Sequence, residues 1–152
     1  MNPIPIPSRW SGSYAYSSLA AMPPRAPVPF TMDLRRCLLG GLTGTITGTI
    51  TDGPGGIPEP ADLRGRIRSG DFEFTKEYRS LWVLEEDGVQ QRVLGLPSQR
   101  IHYTGRISID GTRLEGVWRL EAMRLRVQSE LVEIPTVDGT WSARLEPSQI
   151  LA

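Results

Sequence analysis

Apolar and polar residues alternate along most of the chain with a period of two. Between positions 42 and 51, Leu42, Gly44, Ile46, Gly48 and Ile50 alternate with Thr43, Thr45, Thr47, Thr49 and Thr51. One apolar face and one threonine face mark a half-buried strand. Leu63, Gly65 and Ile67 alternate with Asp62, Arg64, Arg66 and Arg68. After the turn SGD at 69–71, Phe72, Phe74, Lys76 and Tyr78 oppose Glu73, Thr75 and Glu77. Further on, Ile101, Tyr103, Gly105, Ile107 and Ile109 oppose Arg100, His102, Thr104, Arg106 and Ser108. Leu114, Gly116, Trp118 and Leu120 follow, and Met123, Leu125, Val127 and Leu131 continue the alternation. TWSARLE at 140–146 places Trp141, Ala143 and Leu145 together. Earlier, Phe30, Met32, Leu34 and Leu38 share a parity that Arg36 interrupts; Trp82 and Leu84 begin a short strand, and 88–99 has no readable pattern.

These segments predict an all-β chain of about eight to ten strands with no helix. The short turns between them favour an antiparallel up-and-down meander. An open sheet of that length would leave two unpaired edges and an uncovered apolar face, so closure into a small barrel of about eight strands is expected. Glycines 44, 48, 65, 105 and 116 fall on the apolar parity, where they would relieve crowding or let the strands coil. LRGRIRSGDFEF (63–74) and YTGRISIDGTRLEG (103–116) share G-R-I followed by a turn and a return strand, which reads as one hairpin type used twice. The expected organisation is a flexible, Pro-rich stretch at 1–8, a single barrel domain at 9–147 with a Pro-rich loop at 21–29, and a tail at 148–152.

Charge and composition narrow the function. Seventeen basic and 17 acidic residues give a net charge of zero, which argues against a nucleic-acid binder working through a broad basic field. All but one of the basic residues are arginine; the sole lysine is Lys76. Outward arginines interleaved with glutamates on neighbouring strands read as cross-strand charge pairs. Cys37 is the only cysteine and His102 the only histidine, so neither a disulfide nor a cysteine or histidine metal cluster is expected. The N-terminus has neither a basic start nor a continuous apolar run, and no segment approaches a membrane helix. The expectation is a cytoplasmic protein with no membrane contact.

The early W-x-G-x-Y (Trp10, Gly12, Tyr14), the G-T-I-T-G-T at 44–49 and the G-x-W-x-L at 116–120 resemble the small calycin barrels, which include avidin/streptavidin-like and lipocalin-like proteins. The resemblance implies an eight-stranded barrel that holds a small ligand in its mouth. It also implies that Trp10 plugs the closed end and that Trp118 is a core or pocket tryptophan. The hydroxyl set and acidic partner of a biotin site are not identifiable in this sequence.

Among individual residues, Lys76 stands out because it lies on the apolar parity of its strand, where an ammonium is costly unless paired. It would mark an anion-binding pocket, or else reach solvent past the strand end. Tyr14, Tyr78, Tyr103 and Trp118 either line a cavity with rings and hydroxyls or form ordinary core. Trp10 and Trp141 are expected to seal the two ends of the core. His102 falls on the outward parity with no nucleophile signalled beside it, and no cofactor is indicated, so catalysis is not expected. The functional expectation is therefore non-catalytic binding of a small, partly apolar ligand near Tyr78, Tyr103, Lys76, Trp118 and Tyr14. The alternative is a structural or protein-interaction module with a filled core, binding a protein partner or a second copy.

Overall fold

The computed structural model describes residues 7–17, 26–37, 43–84, 90–93, 98, 100–127, 129–134 and 136–147. Every regular element among them is a strand: β1 (Ser8–Tyr16), β2 (Val28–Cys37), β3 (Thr43–Asp52), β4 (Ala61–Arg68), β5 (Asp71–Tyr78), β6 (Leu81–Leu84), β7 (Gln90–Val93), β8 (Arg100–Ile107), β9 (Arg113–Leu120), β10 (Met123–Val127), β11 (Glu130–Ile134) and β12 (Val137–Leu145). Among the described residues no helix is long and apolar enough to cross a membrane.

Eight strands form a closed barrel in the order β1-β12-β9-β8-β5-β4-β3-β2, with every neighbouring pair antiparallel. Once β6–β7 and β10–β11 are set aside as separate two-stranded hairpins, each barrel strand pairs with the next along the chain. The pairing of β1 with β12 closes the ring. This is the all-β, eight-stranded closed meander that the alternation predicts, and closure leaves the barrel without an unpaired edge. Both hairpins are inserted into connections, β5 to β8 and β9 to β12, that leave from one end of the barrel. We call it the hairpin end; the β3–β4 connection lies there too.

Several local expectations are corrected. Met123–Leu131 is not one strand: the chain reverses at Ser129 (φ 70°), and Met123 pairs with Ile134. The unreadable 88–99 contains β7, paired to β6. Ser8 opens β1, and Val28 and Pro29 open β2, so the Pro-rich loop ends sooner than the run of prolines implies. Pro29 is tolerated because pairing with β3 begins only at Phe30, and its carbonyl accepts the Gly53 N–H at 2.7 Å. The expected loop positions 21–25, the N-terminal 1–6 and the tail 148–152 lie outside the described residues. Arg36 interrupts the parity of its segment because the β2–β3 register shifts between Leu34 and Arg36, which places Arg36 opposite Thr47.

The inward parity makes one continuous core. Trp10 is fully buried at the end opposite the hairpins and donates from Nε1 to Ser8 Oγ at 3.0 Å. Trp141 does not seal an end. It lies mid-barrel, edge-on to Phe74 (5.6 Å) and Tyr103 (5.7 Å), and its Nε1 donates to the Thr104 carbonyl at 2.9 Å. The reason is register: Trp141 pairs with Gly116, which pairs with Gly105, so the indole lies beneath a gap in the wall. A Cβ at Gly105 would sit 2.7 Å from the Trp141 ring, and one at Gly116 would sit 2.5 Å from the Gly105 Cα.

On the outer face, Arg66–Glu73 (3.7 Å), Arg106–Asp71 (2.9 Å) and Arg100–Glu77 (3.7 Å) are ion pairs across adjacent strands. They are exposed and individually weak, and they account for the interleaved charges without a ligand. The glycine gap, by contrast, has no room to give. Gly116→Ala is expected to cost about 1–3 kcal/mol by overpacking, read as a fall in the urea midpoint; an unchanged midpoint would show that the strands separate freely there.

Candidate functional site

The hairpin end holds an internal ion pair. Asp52 is the last residue of β3, on the same parity as Ile46 and Ile50, so its side chain turns inward. Lys76 turns inward from β5, on the parity of Phe72 and Phe74. Lys76 Nζ donates to Asp52 Oδ1 at 2.9 Å, with both side chains at most 1 % exposed. On the other carboxylate oxygen, Oδ2, three donors converge: the Tyr14 hydroxyl (3.2 Å), the Tyr78 hydroxyl (2.5 Å) and the Ile57 N–H (3.0 Å). Both carboxylate oxygens of Asp52 thus accept hydrogen bonds away from water, one from Lys76 Nζ on Oδ1 and three on Oδ2.

Local sequence makes this possible. Asp52 is followed by Gly53-Pro54-Gly55-Gly56, and the loop folds back so that Ile57 reaches the carboxylate. Gly56 lies flat against Asp52, and a Cβ there would be 2.4 Å from the Asp52 Cβ. Lys76 is enclosed from its other sides as well. Its Nζ lies 4.8 Å from the ring centroids of both Tyr14 and Tyr78, where ring faces attract a cation.

Of the five residues singled out from the sequence, Tyr14, Lys76 and Tyr78 meet directly at Asp52. Trp118 is buried beside them, edge-on to Tyr14 (5.9 Å) and Tyr16 (5.1 Å), and donates from Nε1 to the Ala15 carbonyl at 3.1 Å. Tyr103 stands on β8, its ring stacked on Phe74 at 4.8 Å. Its hydroxyl lies within the electrostatic reach of Asp52 and Tyr16. The Lys76 ammonium does not reach solvent past the strand end. Asp52, the hub of the cluster, escapes a reading of the sequence because DGPGG looks like a turn; its one signal is its parity with Ile46 and Ile50.

Burial, reinforced by the Asp52 charge, holds the phenols of Tyr14 and Tyr78 far above their ordinary range, and the same causes raise Tyr103. For Lys76, burial lowers the pKa while Asp52 opposes the shift. Above this cluster sits a ring of inward-facing residues at the ends of their strands: Tyr16, Ile101, Leu120 and Val137. These pack on the core yet remain only partly buried. Elsewhere, a groove of about 1040 Å³ crosses the outside of the barrel, lined by Arg68, Arg106, Glu115, Val117 and Thr140 among others. Among the described residues no group of three or more His, Cys, Asp or Glu is placed to hold a metal ion.

No family model, no curated protein and no solved structure matches this chain. The site is therefore read from its own geometry.

Two outcomes follow from the cluster. Lys76→Met leaves a buried carboxylate without its cation and is expected to cost about 3–5 kcal/mol. Combined with Asp52→Asn it should cost clearly less than the sum of the two single changes; additive costs in urea denaturation would contradict the pairing. The second outcome concerns pH. Phenols whose folded pKa is raised contribute stability that is fully present below the unfolded value of 10.0 and is lost as pH rises beyond it. Above 10.5 the unfolded lysine has also lost its proton, so the phenols alone set the slope. Stability should fall with rising pH in that range. Phenolate absorbance from Tyr14, Tyr78 and Tyr103 should appear only with unfolding; ionisation of every tyrosine near pH 10 in the folded state would contradict this.

Proposed function

We propose that the hairpin end of the barrel binds a small, partly apolar molecule and performs no chemistry on it. The observation that carries this reading is the ring of Tyr16, Ile101, Leu120 and Val137. These are inward-facing residues left partly exposed, whereas the layer beneath them is closed. Inward apolar surface at a barrel mouth is where a ligand buries area, and a few polar groups below it fix orientation. Tyr103, Tyr78 and Tyr14 supply those groups, and Trp118 supplies ring surface. The calycin resemblance of the sequence supports the same reading at the level of fold analogy, since lipocalin-like and avidin-like barrels hold ligands in the mouth. Two hairpins are inserted into the connections that leave this end.

One observation favours a second reading, a module that binds a protein or a second copy on its outer wall. The outer groove carries both charge signs beside Val117, which is 56 % exposed. The two readings separate on one titration. N-phenyl-1-naphthylamine, an uncharged dye that brightens in apolar surroundings, is expected to bind saturably at one site. Ile101→Glu should weaken it at least roughly tenfold by placing a charge in the ring while leaving the circular dichroism spectrum unchanged. Absence of saturable binding, or binding indifferent to Ile101→Glu, would overturn the mouth reading.

A further inference from the structure

Asp52 and Lys76 are placed for more than electrostatic attraction. An amine and a carboxyl group condense to an amide with loss of one water. In water the reaction is suppressed, because both groups are charged and solvated and seldom meet in a reactive geometry. In the barrel neither obstacle remains. Both side chains are at most 1 % exposed, and Nζ lies 2.9 Å from Oδ1, one covalent bond away from the carboxyl carbon Cγ. Burial lowers the Lys76 pKa, which favours the uncharged amine that acts as a nucleophile. The Asp52 charge opposes that shift, but a proton passed from Nζ to Oδ1 removes both charges at once.

The two carboxylate oxygens are held differently. Oδ1 accepts from Lys76, whereas Oδ2 accepts from the Tyr14 hydroxyl at 3.2 Å, the Ile57 N–H at 3.0 Å and the Tyr78 hydroxyl. Attack of the amine on Cγ drives negative charge onto one oxygen, and three fixed donors already surround Oδ2. The other oxygen faces the nitrogen whose protons it needs. Nζ gives up two protons on becoming an amide nitrogen. Oδ1 takes both and leaves as water, while Oδ2 becomes the amide carbonyl and keeps its three donors. The balance needs no further reactant. One rival nucleophile lies in the sequence itself, since the backbone nitrogen after an aspartate can attack the same carbon and close a succinimide. Here the Gly53 N–H is engaged elsewhere, donating to the Pro29 carbonyl at 2.7 Å.

We infer that Asp52 and Lys76 condense into a self-generated amide cross-link, with Tyr14, Tyr78 and the Ile57 N–H as its oxyanion donors. The ion pair is the state of the freshly folded chain and the precursor of the cross-link. The amide ties β3 to β5 across β4 and closes a loop over residues 52–76, which restricts the unfolded chain as a disulfide does. With a single cysteine, the chain cannot make such a tie within itself through sulfur. The reaction needs no ligand at the mouth.

The intact mass of the denatured protein tests this. Protein kept folded at neutral pH should accumulate a species lighter than the sequence mass by one water. Its digest should contain the peptides around Asp52 and Lys76 joined as one branched product. A succinimide loses the same water, so Lys76→Arg separates the two: the cross-link is lost in that variant, whereas a succinimide persists. Should Lys76→Arg fail to fold, the branched peptide of the unaltered protein still decides. A mass that stays at the sequence value, or a water loss without the branched peptide, would overturn the cross-link. Tyr78→Phe should slow the appearance of the lighter species at least about tenfold by taking one donor from the oxyanion. An unchanged rate in that variant would overturn the oxyanion assignment.

Discussion

A lysine and an aspartate buried together at one end of a closed barrel constrain the protein more than any other contact. Each ion alone would carry a desolvation cost of several kcal/mol, and their attraction offsets it only if the remaining hydrogen-bonding capacity is met. The barrel meets it from four directions: Lys76 on β5, Tyr14 on β1, Tyr78 two residues beyond Lys76, and the loop after Asp52 through Ile57. Lys76 is the one donor to Oδ1 among the described residues, so removing it leaves that buried oxygen without its cation. The cluster therefore ties β1, β3 and β5 and the β3–β4 loop to a common geometry at the end where the connections are longest.

That geometry determines what the end can do. Had the lysine been left free, that end would hold an unpaired buried cation. With Asp52 in place the charge is cancelled within the wall. Burial and charge act together on the tyrosines, which stay protonated across any physiological range and so remain hydrogen-bond donors. Neutral buried polar networks of this kind favour one register over its neighbours, because a slip of one residue along β3 would point Asp52 outward and strand Lys76 in the core.

The barrel was legible in the sequence because its signal is repeated. Six segments alternate with the same period, and the turns between them are short, so closure follows from the need to cover one apolar face. Lys76 was legible as an anomaly, a cation on the parity of Phe72 and Phe74. Its partner was not, because Asp52 heads a run of glycine and proline that reads as a turn, and nothing in one strand's pattern tells which residue of another will face it. Pairing across β3, β4 and β5 supplies that information. Trp141 shows the same limit. Its parity marks it as core, but its depth depends on lying opposite Gly116 and Gly105 in two other strands. The two-stranded hairpins were read poorly because few alternating residues remain in them, and the reversal at Ser129 uses a positive φ without the glycine that would announce it.

The sole lysine makes the central interaction directly observable. In protein labelled with ¹⁵N-lysine, a single side-chain nitrogen reports on Lys76. The account predicts that its ammonium protons exchange slowly with water at neutral pH, giving a visible N–H correlation, and that the signal shifts when Asp52 is replaced by asparagine. A lysine nitrogen whose protons exchange as fast as those of a free ammonium, with a spectrum indifferent to Asp52→Asn, would contradict it.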